Sequence, residues 1–283
     1  MDIKEGSPED SKTIPPYLCQ DGVTERPWLD PPMPWYAKIL WWLLSFAQLP
    51  SSVAFTLDGN RRWAKERGLT PQEGHDIGTP ILEKARTPTM LALGIRRTNV
   101  YIFTMNNFRR REDQVWHILD IISRIYDSIC KNWQFYHKKG SSVKFPGYLD
   151  LFPEEAHRPA AKAELMLHNK SSEFQLSYCA PYLSRHQGAR MALALCHAVR
   201  DGLLEPRDIT ERLIDLYNEI EDCPAIDCML RAAGEHRLSD FLTWQSERAY
   251  IFFETKRLPD IAMWDIFKMM LHYSATPSSR KVL

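Results

Sequence analysis

Six short apolar runs, each closed by turn chemistry and separated from the next by helix-forming sequence, constrain the fold of this 283-residue chain more than any other feature. The runs fall at 53–57, 99–103, 142–145, 174–179, 226–230 and 250–253, and they are rich in residues that suit buried strands. Helical periodicity is clearest over 112–133, where Val115, Ile118, Ile122, Ile125, Ile129 and Trp133 recur at helical spacing. A second helix opens at Ser184 and runs toward Gly202, and weaker helical stretches begin at Asp240 and Ala262. Pro80, Pro88 and Pro159 interrupt segments that otherwise read as helical. Strand and helix in alternation predict an α/β fold, a single domain over 51–275 with a mostly parallel six-stranded sheet wrapped by helices.

In open parallel sheets, ligands gather beyond the carboxyl ends of the strands. Three such segments carry polar chemistry: Asp58-Gly59-Asn60 followed by Arg61 and Arg62, TMNNFRR at 104–110, and RAAGEHRLS at 231–239. Gly59 and Asn60 suit a tight turn, and RRWAKERG reads as a short helix closed by Gly68. A strand, a turn and a helix start thus place free backbone N–H groups beside one carboxylate and several guanidiniums. Helix starts attract phosphate, arginine forks grip it, and a carboxylate holds the Mg²⁺ that phosphates carry. These segments predict a diphosphate-and-magnesium site. As a turn carboxylate, Asp58 is expected to contribute little to packing.

Other chemistries find no support. GxxxxGK[ST], GxGxxG after a strand, HExxH and GxSxG are all absent. The formal net charge is zero, which argues against a nucleic-acid binder that relies on bulk charge. The six cysteines, at 19, 130, 179, 196, 223 and 228, form no CxxC pair and read as reduced thiols, mostly small apolar fillers. Residues 1–34 are rich in proline and acidic residues, lack the pattern of a secretory signal, and read as a mobile leader. Residues 35–50 follow as an amphipathic or interfacial helix rich in tryptophan, too short to span a bilayer. It is expected to meet a membrane surface or substrate, to pack on the domain, or to cover a partner. Residues 276–283 form a short tail.

The motifs VAFTLDGNRRWAKERG, EGH at 73–75, VYIFTMNNFRR at 100–110, YLSRHQ at 182–187 and MLRAAGEHRLSDFLTWQ at 229–245 stand in this order over nearly the whole domain. In these the chain resembles the cis-prenyltransferases, the undecaprenyl and dehydrodolichyl diphosphate synthases. The resemblance implies a hydrophobic tunnel beside the sheet, Mg²⁺ as cofactor, and condensation of isopentenyl diphosphate onto an allylic diphosphate such as farnesyl diphosphate. The product would be a polyprenyl diphosphate of a dolichol-type pathway. Matched to the family, Asp58 handles the metal, and Asp58, Asn60 and Asn107 are the catalytic candidates. Gly59, Asn60, Arg61, Arg62, His75 and Arg110 match the allylic-diphosphate site, and Arg231, Arg237 and Ser239 the isopentenyl-diphosphate site. Trp63, Phe241 and Trp244 are expected in the core.

Several positions depart from the family pattern: Pro71 for an arginine, Thr104 for serine, Asn106 for glutamate, Ala232 and Ala233 in the arginine loop, Tyr148 for aspartate, and Tyr250 for a second metal-handling glutamate. The chain ends HYSATPSSRKVL, without the Arg-x-Gly element of single-subunit members. The resemblance therefore implies a non-catalytic partner subunit supplying that element, or else a homodimer, with peripheral contact at the cytoplasmic face of the endoplasmic reticulum membrane. Two alternatives stand beside this reading. One is a diverged enzyme making a short, irregular or cyclised isoprenoid, and the other is a non-catalytic partner subunit, which Asp58 argues against.

Overall fold

The computed structural model describes residues 39, 42–44, 46–168 and 172–276. The expected leader at 1–34 lies outside them, as does the tail after Thr276. Six strands, β1 (Ser52–Thr56), β2 (Arg97–Tyr101), β3 (Ser141–Lys144), β4 (Phe174–Cys179), β5 (Cys228–Arg231) and β6 (Tyr250–Phe253), form one sheet in the order β3-β4-β2-β1-β5-β6. Every pairing is parallel. Each expected strand is present, displaced by at most two residues. β1 is buried along its whole length, as expected of a central strand covered on both faces. Val53 and Phe55 join the larger of two apolar clusters and Ala54 the smaller, following the period of two along a strand.

Eight α-helices that follow β1 wrap the sheet: α1 (Asn60–Glu66), α2 (Pro71–Ala92), α3 (Glu112–Lys131), α4 (Trp133–Lys138), α5 (Glu154–Met166), α6 (Ser184–Arg200), α7 (Glu211–Ile220) and α8 (Met263–Ala275). α3 opens with Glu112 and Asp113 and closes with Lys131, charges that complement its dipole. It buries Ile118, Ile122, Ile125 and Ile129 as the spacing predicts, and Ile121 and Tyr126 as well. The helix stops before Trp133, where Asn132 turns its side-chain amide back to the Ser128 carbonyl at 2.6 Å.

Three expectations need correction. α2 runs on through Pro80 and Pro88, and α5 through Pro159, so the missing N–H groups do not end these helices. α2 begins in a reciprocal cap: the Thr70 N–H donates to Glu73 Oε2 at 2.7 Å, and the Glu73 N–H donates back to Thr70 Oγ1 at 3.3 Å. No helix begins at Asp240, because Ser239, Asp240 and Leu242 all have positive φ (55°, 60° and 44°), which a right-handed helix cannot accommodate. Asp240 instead caps α6, its carboxylate accepting from the Arg185 N–H at 3.1 Å and from Arg185 Nε at 2.6 Å. Trp63 and Phe241 are core residues, but the Trp244 ring is exposed and its Nε1 donates to Asp215 Oδ1 at 2.8 Å.

Four of the five described cysteines are buried and all five are free thiols; Cys196 is exposed on α6. No helix among the described residues is long and apolar enough to cross a membrane.

Candidate active site

The carboxyl ends of β1, β2 and β5 open onto a cavity of about 460 Å³. At the end of β1, Gly59 takes φ +100°, and a Cβ there would come within 2.7 Å of Arg257 Cγ. Any side chain strains this turn. The turn aims Asp58 inward, where Oδ1 accepts from the Gly59 N–H at 2.6 Å and Oδ2 accepts from Arg231 Nη2 at 3.1 Å. Burial pushes the Asp58 carboxyl up, but the Gly59 N–H and the Arg231 guanidinium outweigh it and hold the group below the usual aspartate value. Asp58 is therefore an anion, and it does contribute to structure, because Arg231 is only 1% exposed.

α1 starts at Asn60, and α2 lies close against it because of two glycines. A Cβ at Gly74 would sit 2.5 Å from the Asn60 carbonyl oxygen, and one at Gly78 would sit 2.5 Å from Asn60 Oδ1. This approach brings Asn60 Nδ2 to 3.1 Å from His75 Nδ1. With Nδ1 accepting from the amide, the imidazole proton lies on Nε2. Burial, then the charges of Arg110, His117 and Arg61, lower His75 to about 4, so the ring is neutral.

After β2, Thr104 Oγ1 accepts from the Asn106 N–H at 3.3 Å and caps the turn Met105–Arg109, which buries Asn107. Arg110 follows, lowered to about 10 by burial and then by the neighbouring Arg61, with Asp58 opposing. After β5, Ala233 and Gly234 take φ of 72° and 65° and turn Glu235 into the cavity. Its carboxylate meets Arg62 Nη1 at 2.7 Å and Arg237 Nη1 at 2.5 Å. Arg231 Nε donates to the Arg237 carbonyl at 3.0 Å. Ile118, Ile121, Ile122 and Ile125 of α3, with Phe103, give the cavity its apolar wall.

All eleven residues singled out in the sequence line this one cavity: Asp58, Gly59, Asn60, Arg61, Arg62, His75, Asn107, Arg110, Arg231, Arg237 and Ser239. Four of them leave a buried polar atom without a partner: Asn60 Oδ1, His75 Nε2, Arg110 Nη1 and Arg231 Nη1. Unsatisfied buried groups are costly, and three nitrogens gathered at one cavity form a donor set for an anionic ligand. Six cationic side chains line the cavity against two carboxylates, Asp58 and Glu235. Sequence reasoning passed over Glu235 and Lys65, although Glu235 lies within the quoted RAAGEHR and Lys65 stands one helical turn beyond Arg61. A second cavity, about 530 Å³ at the amino ends of β2, β3 and β4, is larger, but Lys144 there already pairs with Glu164 and Asp222.

A metal has limited support from protein groups. No group of three or more histidine, cysteine, aspartate or glutamate residues among the described residues is placed to hold a metal ion, and Tyr250, on β6, packs its ring against Tyr273 of α8 and does not line the cavity. One ionised carboxylate nevertheless fits Mg²⁺, which is commonly held by one or two carboxylates together with substrate phosphate oxygens.

Parallel sheet, arginine-lined strand ends and apolar wall together define an enzyme that handles diphosphate esters of apolar groups. A family model described as "Putative undecaprenyl diphosphate synthase" matches residues 56–281. The chain is 31% identical over 237 residues to the dehydrodolichyl diphosphate synthase complex subunit DHDDS of Homo sapiens, covering 83% of this chain and 70% of that one. It is 34% identical over 217 residues to a trans,polycis-polyprenyl diphosphate synthase ((2Z,6E)-farnesyl diphosphate specific) of Thermobifida fusca, covering 73% and 72%. Among solved structures, lavandulyl diphosphate synthase from Lavandula x intermedia in complex with dimethylallyl diphosphate superposes with a TM-score of 0.73 at 28% identity, over 81% of this chain and 96% of that one. The chain belongs to the cis-prenyltransferase family of undecaprenyl and dehydrodolichyl diphosphate synthases. It is a prenyltransferase, and the chemistry of its family is condensation of isopentenyl diphosphate with an allylic diphosphate in a divalent-metal-dependent reaction.

Proposed function

We propose that this chain elongates an allylic diphosphate with isopentenyl diphosphate to a polyprenyl diphosphate of the dolichol type, using Mg²⁺. The observation that carries the reading is the set of unpartnered donors, on His75, Arg110 and Arg231, gathered at one cavity with an apolar wall. Asn60, Arg61, Arg62, His75 and Arg110, with the backbone at Gly59, hold the allylic diphosphate. Arg231, Arg237 and Ser239 hold the isopentenyl diphosphate, and Asn107 helps orient the reacting ends. Asp58 would hold Mg²⁺ against substrate oxygens, and the bound ion supplies charge neutralisation for the departing diphosphate.

The allylic C1–O bond breaks and its electron pair leaves with the diphosphate, where the fixed guanidiniums take up the growing charge. The isopentenyl double bond attacks that carbon, and a proton lost from its C2 leaves a new cis double bond. His75, held near 4, is a weak base; a phosphate oxygen, with a second pKa of about 6, is the better acceptor. The apolar wall of α3 receives the chain.

The reading extends to assembly and location. α6 buries none of its residues, and Leu193 together with Leu216 and Ile220 of α7 is exposed. This face suits a non-catalytic partner subunit or a second copy. In the 35–50 segment, Leu44 is buried in the core while Trp42 and Phe46 are 62% and 74% exposed, an arrangement that suits peripheral contact at the cytoplasmic face of the endoplasmic reticulum membrane. The test is incubation of purified chain with radiolabelled isopentenyl diphosphate, farnesyl diphosphate and Mg²⁺, with and without a eukaryotic non-catalytic subunit. Long polyprenyl products that require the partner are expected. No incorporation in either reaction overturns the proposal.

A further inference from the structure

The two arginines that reach Glu235 belong to different substrates under the function proposed above, on which this inference rests. Arg62 comes from α1 on the allylic side, and Arg237 comes from the loop after β5 on the isopentenyl side. One carboxylate takes both, Oε1 meeting Arg62 and Oε2 meeting Arg237. Glu235 is 19% exposed, whereas both guanidiniums are substantially open to solvent. The arginines can therefore swing to a ligand, while the carboxylate stays largely enclosed on a loop fixed by Ala233 N–H to the Lys256 carbonyl at 2.8 Å and Gly234 N–H to the Glu254 carbonyl at 2.9 Å.

We infer that Glu235 is a positioning residue that couples the two diphosphate sites negatively. When the first diphosphate draws one arginine away, Glu235 keeps the other and remains compensated. When the second arrives, it takes the last guanidinium and leaves a largely enclosed carboxylate bare, the costly kind of charge separation. The second displacement thus costs more than the first, whichever substrate comes first, because coupling between two ligands is reciprocal. Such a device favours the singly occupied cavity. In a reaction that must discharge a diphosphate and move the extended chain's own diphosphate between sites, it promotes release after each bond is made.

The test uses two non-reacting probes: isopentenyl diphosphate alone, and a thiolo analogue of farnesyl diphosphate whose C1–S bond does not ionise. Calorimetry gives the Kd of isopentenyl diphosphate with and without saturating analogue, for the full chain and for Glu235→Gln, and the reverse titration checks reciprocity. The expected result in the unsubstituted protein is isopentenyl diphosphate binding about tenfold weaker once the analogue is bound, a coupling of about 1.4 kcal/mol. In E235Q that ratio falls to about threefold or less, the residue being direct repulsion between the two diphosphates, and each probe alone binds more tightly. Glu235→Ala, checked for folding by its thermal midpoint, is expected to behave as E235Q does, since both remove the charge. Equal ratios in the variants and the unsubstituted protein overturn the inference and leave the proposed function standing. Failure of the unsubstituted protein to bind either probe overturns both.

Discussion

On the allylic side of the cavity, along the ends of β1 and β2, buried donors of His75 and Arg110 are left without partners; on the β5 side most of the charge is already matched. His75 Nε2 and Arg110 Nη1, on two residues that line the cavity, are buried donors without a partner, and Arg110 is further strained by Arg61. Across the cavity Arg231 has Asp58 and the Arg237 carbonyl, with its Nη1 left unpartnered, and Arg237 has Glu235. The first side carries the cost of ligand-free donors in advance, and so is preorganised for charge that appears during reaction. The second side must exchange internal ion pairs for substrate, and so can discriminate and release. Substitutions on the two sides should therefore have different signatures.

Asp58 touches both sides, and its replacement has the largest expected effect. Asp58→Asn keeps the shape and an acceptor for the Gly59 N–H but removes the charge. Turnover is expected to fall by about 10²–10³-fold, the scale of losing one preorganised electrostatic group. Asparagine has one oxygen for the two donors that Asp58 serves, so Asp58→Asn and Asp58→Ala both leave the buried Arg231 guanidinium uncompensated, at a cost of about 3–5 kcal/mol in stability. Steady-state kinetics together with a thermal melt separates the two effects. Turnover within threefold of the unsubstituted enzyme would remove Asp58 from the chemistry.

Arg237→Ala probes the exchanging side alone. Loss of a charged pair to a diphosphate is expected to raise KM for isopentenyl diphosphate about ten- to a hundred-fold, while KM for the allylic substrate changes by less than about threefold. An equal rise in both would erase the distinction between the two sides.

The preorganised side has a pH signature. His75 takes its proton at about 4 in the folded chain and at about 6.5 when unfolded. Between these values the unfolded state binds the proton and the folded state does not, so stability falls as pH drops from about 6.5 toward 4 and is unaffected by this group above that window. Proton NMR of the His75 ring is expected to show a neutral imidazole at pH 5.5. Inorganic diphosphate, by neutralising Arg110 and Arg61, is expected to move the midpoint upward. A ring titrating near 6.5 with no response to diphosphate would break the picture of a side built under like-charge strain.

The strand pattern and the residues after each strand were legible because both rest on local rules: apolar runs of strand length, and the tendency of parallel sheets to place ligands at carboxyl ends. Every residue of the candidate site came from three such segments and the EGH of α2. What escaped depends on contacts between distant segments. No propensity shows that α2 continues through Pro80 and Pro88, nor that Ser239, Asp240 and Leu242 take left-handed angles that undo a helix. Asp58 looks like a simple turn residue until Arg231 is found buried beneath it. Glu235 stood in plain view within its motif, yet its two arginines lie 173 and 2 positions away, and only the fold joins them.

The smallest effect tests the geometry that serves both sides. Gly59 is the one turn residue whose backbone angle fixes Asp58 and the start of α1 together, and its φ of +100° leaves a Cβ within 2.7 Å of Arg257 Cγ. Arg257 is anchored to Glu66 of α1, so it can yield only by giving up that exposed ion pair, which contributes about 0–1 kcal/mol. Adding the penalty for alanine at a positive φ, of order 1 kcal/mol, Gly59→Ala is expected to lower Tm by about 2–6 °C. The matching kinetic change should be in turnover more than in either KM, because the turn displaces Asp58 without removing a diphosphate ligand. Both KM values rising with turnover intact would mean that the turn serves binding on one side, and that the two sides do not meet at Asp58.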